Sequence, residues 1–139
     1  MVTQASASAG AGGRPLKGVA KAGVKAGNKS APQQGEIVWI DFDPQSGHEQ
    51  AGHRPALVIS KTAYNQRIGR AFVCPITSKV KGYPFEVAVS TKSVTGVVLS
   101  DHLKNVDWVS RGTTMTGEFV SITALQSVWG LVESIVDIS

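Results

Sequence analysis

Glu36-Ile-Val-Trp-Ile-Asp-Phe42 and Pro55-Ala-Leu-Val-Ile-Ser60 are two short runs rich in β-branched and aromatic residues, separated by a polar, glycine-containing segment. Each is too short for a stable helix and is bounded by turn formers, so both read as strands. Further along, Phe85, Val87 and Val89 alternate with Glu86, Ala88 and Ser90, which puts the three apolar side chains on one face of an extended chain. Residues 70–74, 97–100 and 103–109 complete a set of about six strands at the spacing of a small barrel or sandwich. The expected architecture is therefore mainly β. The period changes at the end of the chain, where Leu125, Val128, Trp129, Val132, Ile135 and Val136 follow the i, i+3, i+4, i+7 pattern of an amphipathic helix. Thr123 with Gln126 offers a capping box and Ser121 a rival N-cap. This helix is expected to close one end of the barrel, with Trp129 in the core.

Before the first strand, residues 1–34 are dominated by Gly, Ala, Ser, Lys and Gln. Such a segment buries too little apolar area to offset its ordering entropy, so a disordered tail is expected over 1–34 and a folded domain over 35–139. The tail holds Arg14, Lys17, Lys21, Lys25 and Lys29 and no acid. The rest of the chain carries nine Lys and Arg against ten Asp and Glu. The overall charge of +4 and pI near 9.4 thus describe the tail, and bulk charge does not establish a nucleic-acid partner. Gly23-Val-Lys-Ala-Gly27-Asn-Lys29-Ser30 imitates a phosphate-binding loop, but Asn28 displaces the lysine and Ala31-Pro32 follows where a helix should open.

One cysteine, Cys74, rules out an internal disulfide and a multi-cysteine zinc site, and points to a reducing compartment such as the cytoplasm. No apolar run approaches the roughly 20 residues that span a bilayer, so no membrane partner is expected. His48, His53 and His102 lack metal-site spacing, and no metal or other cofactor is expected.

Chemistry concentrates in Asp41-Phe-Asp43-Pro44-Gln-Ser-Gly47-His48-Glu49-Gln50-Ala-Gly52-His53-Arg54-Pro55-Ala56, a loop leaving one strand and returning into the next. Functional groups on a loop held by rigid elements are a common way to build a site. By composition alone it is an ordinary charged hairpin loop. The order of residues says more. Trp39-Ile-Asp41-Phe-Asp43-Pro44, Gly47-His-Glu49-Gln50-Ala-Gly52-His53-Arg54-Pro55-Ala, Cys74-Pro75-Ile-Thr77-Ser78 and Lys81-Gly82-Tyr83-Pro84-Phe85-Glu86-Val87 follow one another as in the MazF (PemK/MazF-type) family of toxin endoribonucleases, which the chain resembles from about Gly35 to its end. Gly96-Val-Val-Leu-Ser-Asp101 and Trp108-Val-Ser-Arg111-Gly112 extend the resemblance.

That resemblance implies a small SH3-like β-barrel of the MazF/CcdB type with a C-terminal α-helix. It also implies a homodimer, a single-stranded RNA substrate cut without metal, and inhibition by a cognate antitoxin protein. Carried across motif by motif, it makes Arg54 and Thr77 catalytic, with Glu49 as the matching acid. Lys81 and Arg111 lie inside matched motifs and fit phosphate contacts, Gln50, His53 and Ser78 are further RNA-binding candidates, and Lys79 is a surface cation in the same region. Val109 and Ser110 follow Trp108 where relatives often carry more basic character, a departure that bears on the sequence recognised.

The chemistry is coherent with these residue types. RNA carries its own nucleophile, the 2′-hydroxyl, so an enzyme needs mainly to align it with phosphorus and stabilise the charge that develops. Arginine stays protonated and offers a planar fork of donors to phosphate oxygens. Threonine adds a neutral hydrogen bond. Neither is a good proton acceptor, and Glu49 or His53 remains open for that part. Two other readings compete: a non-catalytic barrel that binds a protein such as gyrase, and an RNA-binding module without cleavage.

Overall fold

The computed structural model describes residues 30–42 and 53–138. Among these described residues, seven strands and two helices follow in the order β1 (Glu36–Asp41), β2 (His53–Val58), α1 (Thr62–Ile68), β3 (Ala71–Thr77), β4 (Glu86–Ser90), β5 (Thr95–Leu99), β6 (Lys104–Val106), β7 (Thr114–Phe119) and α2 (Ile122–Val136). All recorded pairings are antiparallel, in the order β4-β5-β3-β2-β1-β7, with β6 also on β3. The mainly β class with a C-terminal helix is as expected.

The centre of the design is β3. Its first half, Ala71–Val73, pairs with β6, whereas Ile76 and Thr77 pair with β5. Pro75, which has no N–H to give to a ladder, lies at the changeover. Side-chain alternation then feeds two cores. Val38, Ile40, Ala56, Val58, Val73 and Val106 pack together on one side, while Ile37, Leu57, Cys74, Ile76, Val98 and the α2 residues Val128 and Val132 pack on the other. Burial on both faces explains why β1, β2 and β3 read as nearly continuous apolar runs.

Three elements differ from the sequence reading. The stretch 103–109 is strand only through Val106, because the Asp107 carboxylate accepts hydrogen bonds from the amides of Val109 and Ser110, both at 3.1 Å, and turns the chain. The Ser110 amide foremost holds that carboxyl below its ordinary range. Helix α1 is too short to show a period, and its buried Asn65 is its anchor. The Asn65 amide donates to the carbonyls of Pro32 (2.9 Å) and Ser60 (3.2 Å) and accepts from the Ser60 hydroxyl (2.6 Å). Strand β7 lacks apolar alternation because it is an edge strand, tied to β1 partly by the Thr116 hydroxyl donating to the Ile37 carbonyl at 2.6 Å.

The packed chain also starts earlier than the boundary expected at residues 34 and 35. Ala31 and Pro32 are buried, and Gln34 donates its side-chain amide to the Ile59 carbonyl at 2.8 Å. These residues fold by docking on α1 and β2, which composition does not reveal. Residues 1–29, the remainder of the expected tail, lie outside the described residues. In α2 the N-cap is Ser121, whose hydroxyl accepts from the Ala124 amide at 3.0 Å, so the Thr123 capping box does not form. Trp129, expected in the core, is 46% exposed. The buried line of α2 runs through Val128 and Val132, and a residue one position from Val128 is turned about 100° around the helix.

Candidate active site

Strand register positions the site. In the β1–β2 pair, Trp39 faces Pro55, Ile40 faces Arg54 and Asp41 faces His53. In the β2–β3 pair, Leu57 faces Cys74 and Ala56 faces Pro75. Continued by two residues, this register sets Arg54 opposite Thr77. Both residues line one cleft of about 320 Å3. Its apolar lining comes from Trp39, Pro55, Ile76 and Val94, and Ser78 joins Thr77 at its polar side. Two residues selected from sequence on separate strands thus meet at one concavity.

The Thr77 hydroxyl accepts the Lys79 amide at 3.1 Å. Its acceptor capacity is partly used at the turn, while its proton is left to donate to a ligand oxygen. Behind it, β5 approaches unusually closely: a Cβ on Gly96 would collide with the Thr77 carbonyl oxygen and lie 3.0 Å from its carbon. Glycine here answers to lack of space.

The cleft is also lined by Ser93 and Val94 of the turn between β4 and β5 and by Thr95 at the start of β5. Glu118 of β7 clamps that turn. Its carboxylate accepts from the Thr91 hydroxyl (2.5 Å), the Ser93 amide (3.0 Å) and the Ser93 hydroxyl (2.9 and 3.0 Å). The Thr91 hydroxyl foremost, then the Ser93 amide, hold the Glu118 carboxyl below its ordinary value of 4.5. A carboxyl lowered by folding supports the folded state above 4.5 and loses that support as pH falls through the lowered value. Acid titration below 4.5 is therefore expected to release residues 91–94 ahead of the core, seen as faster hydrogen exchange at the Ser93 amide. Unchanged exchange at that amide down to global acid unfolding would contradict the clamp.

The remaining candidates divide. His53 Nδ1 donates to Asp41 Oδ1 at 2.6 Å, with both side chains about half exposed. Arg111 donates from Nη1 to the Asp41 carbonyl at 3.2 Å, and its own carbonyl accepts the Asp41 amide at 3.2 Å. It therefore braces the end of β1. Lys81 lies on the exposed loop between β3 and β4, where the Glu86 carboxylate holds the amides of Lys81 and Gly82, both at 3.0 Å, and it does not line the cleft. Glu49 and Gln50 fall in 43–52, outside the described residues, as does His48. Cys74 is fully buried, and burial foremost, with the Asp101 carboxylate, pushes its thiol up to about 12. It packs as a small hydrophobe. Sequence reasoning overlooked Ser93, Thr95 and Glu118, which carry no motif of their own, and it placed Gly96 in a matched motif without a reason for the glycine, which the close β3–β5 approach supplies.

A family model described as the PemK-like, MazF-like toxin of type II toxin-antitoxin systems matches residues 33–130. The chain belongs to this family. It is similar to the endoribonuclease toxin MazF of Escherichia coli, at 46% identity over 90 residues that cover 65% of this chain and 81% of that protein. It is also similar to the endoribonuclease toxin ChpB of the same organism, at 40% identity, covering 60% of this chain and 76% of that one. Among solved structures, a MazE–MazF complex from Deinococcus radiodurans matches with a TM-score of 0.72 and 44% identity, covering 80% of this chain and all of that one. The MazF-type barrel and the first residues of the family match, at 33, agree with the early start of the packed chain. No helix among the described residues is long and apolar enough to cross a membrane.

Proposed function

We propose that this MazF-type chain is an endoribonuclease toxin that cuts single-stranded RNA without a metal ion. The convergence of Arg54 and Thr77 on one cleft is the observation that carries the reading. RNA laid across the cleft presents a phosphate to the Arg54 guanidinium, while the Thr77 hydroxyl donates to another oxygen of the same group. The neighbouring 2′-hydroxyl attacks phosphorus, the bond to the 5′-oxygen breaks, and the extra negative charge of the transition state is held by a cation already in place. The products are a 2′,3′-cyclic phosphate and a 5′-hydroxyl. Trp39, Pro55 and Val94 give the cleft an apolar lining suited to the faces of bases. Ser78, Ser93 and Thr95 supply hydroxyls able to read base edges. Glu49 and Gln50 belong to the same loop in sequence and complete the reading as acid and RNA contact.

The partners follow the relatives. An antitoxin polypeptide binds this chain, in keeping with the solved MazE–MazF complex, and a second copy forms a homodimer. Phe119, Ile122 and Trp129, each about half exposed on β7 and α2, are among the large apolar residues that the described part of the chain offers to a protein surface.

The purified protein is expected to cleave an unstructured RNA in the presence of EDTA, and sequencing both ends of the products reads the chemistry and the recognised bases together. Binding without strand scission would turn the assignment to an RNA-binding module. Activity abolished by chelator would defeat the metal-free scheme.

A further inference from the structure

Arg54 and Thr77 bind and polarise a phosphate, yet neither removes the proton that the attacking 2′-hydroxyl must lose. Resting on the nuclease reading above, we propose that Asp41 and His53 form the proton-accepting pair of the reaction, with His53 Nε2 as the base and Asp41 as its positioning residue.

Position is the first support. Trp39 and Asp41 share one face of β1, Pro55 and His53 share the facing side of β2, and Trp39 and Pro55 line the cleft. The Asp41–His53 rung is therefore the next rung on the cleft-lining face, about 7 Å further along the strands. It is also the rung adjoining Arg54, which itself lines the cleft.

Chemistry is the second. The 2.6 Å bond from Nδ1 to Asp41 Oδ1 fixes the tautomer of the neutral ring, so Nε2 carries the lone pair. Both side chains are about half exposed, as a group that exchanges a proton with a substrate needs to be.

The third is that the pair is held and not casually placed. The Arg111 guanidinium braces the Asp41 carbonyl, and Gly112, at φ +61°, passes so close that a Cβ there would lie 3.2 Å from Asp41 Oδ2 and 3.9 Å from His53 Cε1.

In the step itself, the 2′-O–H proton passes to Nε2 as the bond from O2′ to phosphorus forms. The bond from phosphorus to the 5′-oxygen breaks, and that oxygen takes a proton from solvent. Collapse of the imidazolium to solvent resets the pair.

Single-turnover cleavage by the full chain, compared between wild type, His53→Ala and Asp41→Asn, tests this. His53→Ala is expected to lower kcat by about 10² with KM nearly unchanged, and free imidazole should restore part of the loss. Asp41→Asn, close to isosteric, should give a smaller drop in kcat. The two proton roles are separated by a substrate whose scissile 5′-oxygen is replaced by sulfur, a leaving group that needs no proton. The His53→Ala deficit should persist on it. Recovery on the thio substrate would make His53 an acid and overturn the assignment, as would unchanged kcat or an effect confined to KM. Wild-type protein that does not cut RNA at all would bring down the nuclease reading, and this pair with it.

Discussion

Arg54→Ala is expected to reduce cleavage of single-stranded RNA by about 10² or more while the protein still folds. The expectation follows from where the guanidinium sits. Arg54 stands near the start of β2, one residue before the cleft-lining Pro55, in a register that continues toward Thr77. It is half-buried, and the two cores are built from its neighbours Ile40, Ala56 and Leu57 without it. Removal therefore takes away transition-state stabilisation more than packing. Arg54→Lys should fall between, because an ammonium keeps the charge and loses the planar fork. Thermal melts of both variants, beside their single-turnover rates, divide catalysis from folding. Near-normal turnover in the alanine variant would move the active site elsewhere.

Gly96→Val tests the other wall. Its Cβ would collide with the Thr77 carbonyl, a backbone atom that cannot swing aside as the tip of a side chain can. Either β5 parts from β3 where Val97 pairs with Thr77, or Thr77 shifts. A loss of about 3 kcal/mol in denaturant unfolding is expected, at the upper end of over-packing effects. Where the variant is still folded, cleavage should fall by about 10², the cost of misplacing a catalytic group by roughly an ångström. A Gly96→Val protein of normal stability and rate would show that the two strands do not need their close spacing.

The main strands were legible because β1, β2 and β3 are buried on both faces and β4 alternates cleanly, so hydrophobic effect and sequence pattern coincide. Where they diverge, pattern fails. Strand β7 is held by hydrogen bonds such as Thr116 to Ile37, and α1 is anchored by polar contacts, the buried side-chain amide of Asn65 among them. Val109 has strong strand propensity, yet the Asp107 carboxylate turns the chain there. Trp129 fits the helical period but falls just beyond the stripe that α2 actually buries. For the site, Arg54 and Thr77 were readable because the motif order fixed them, and the strand register then gave a geometric reason for their pairing. Glu118, the packing of Gly96 on Thr77 and the Asp41 contact of His53 were not readable, because each acts through a neighbour distant in sequence.

Cys74 has a practical bearing on experiments with this protein. The chain has one native sulfhydryl, it is sealed in the core, and its thiol is pushed up to about 12. It will stay protonated and out of reach of maleimides and nitroxide reagents at neutral pH. A fluorophore or spin label can thus be attached at a single engineered surface cysteine in the otherwise unaltered polypeptide, and RNA strand passage followed by distance changes without replacing a core residue first.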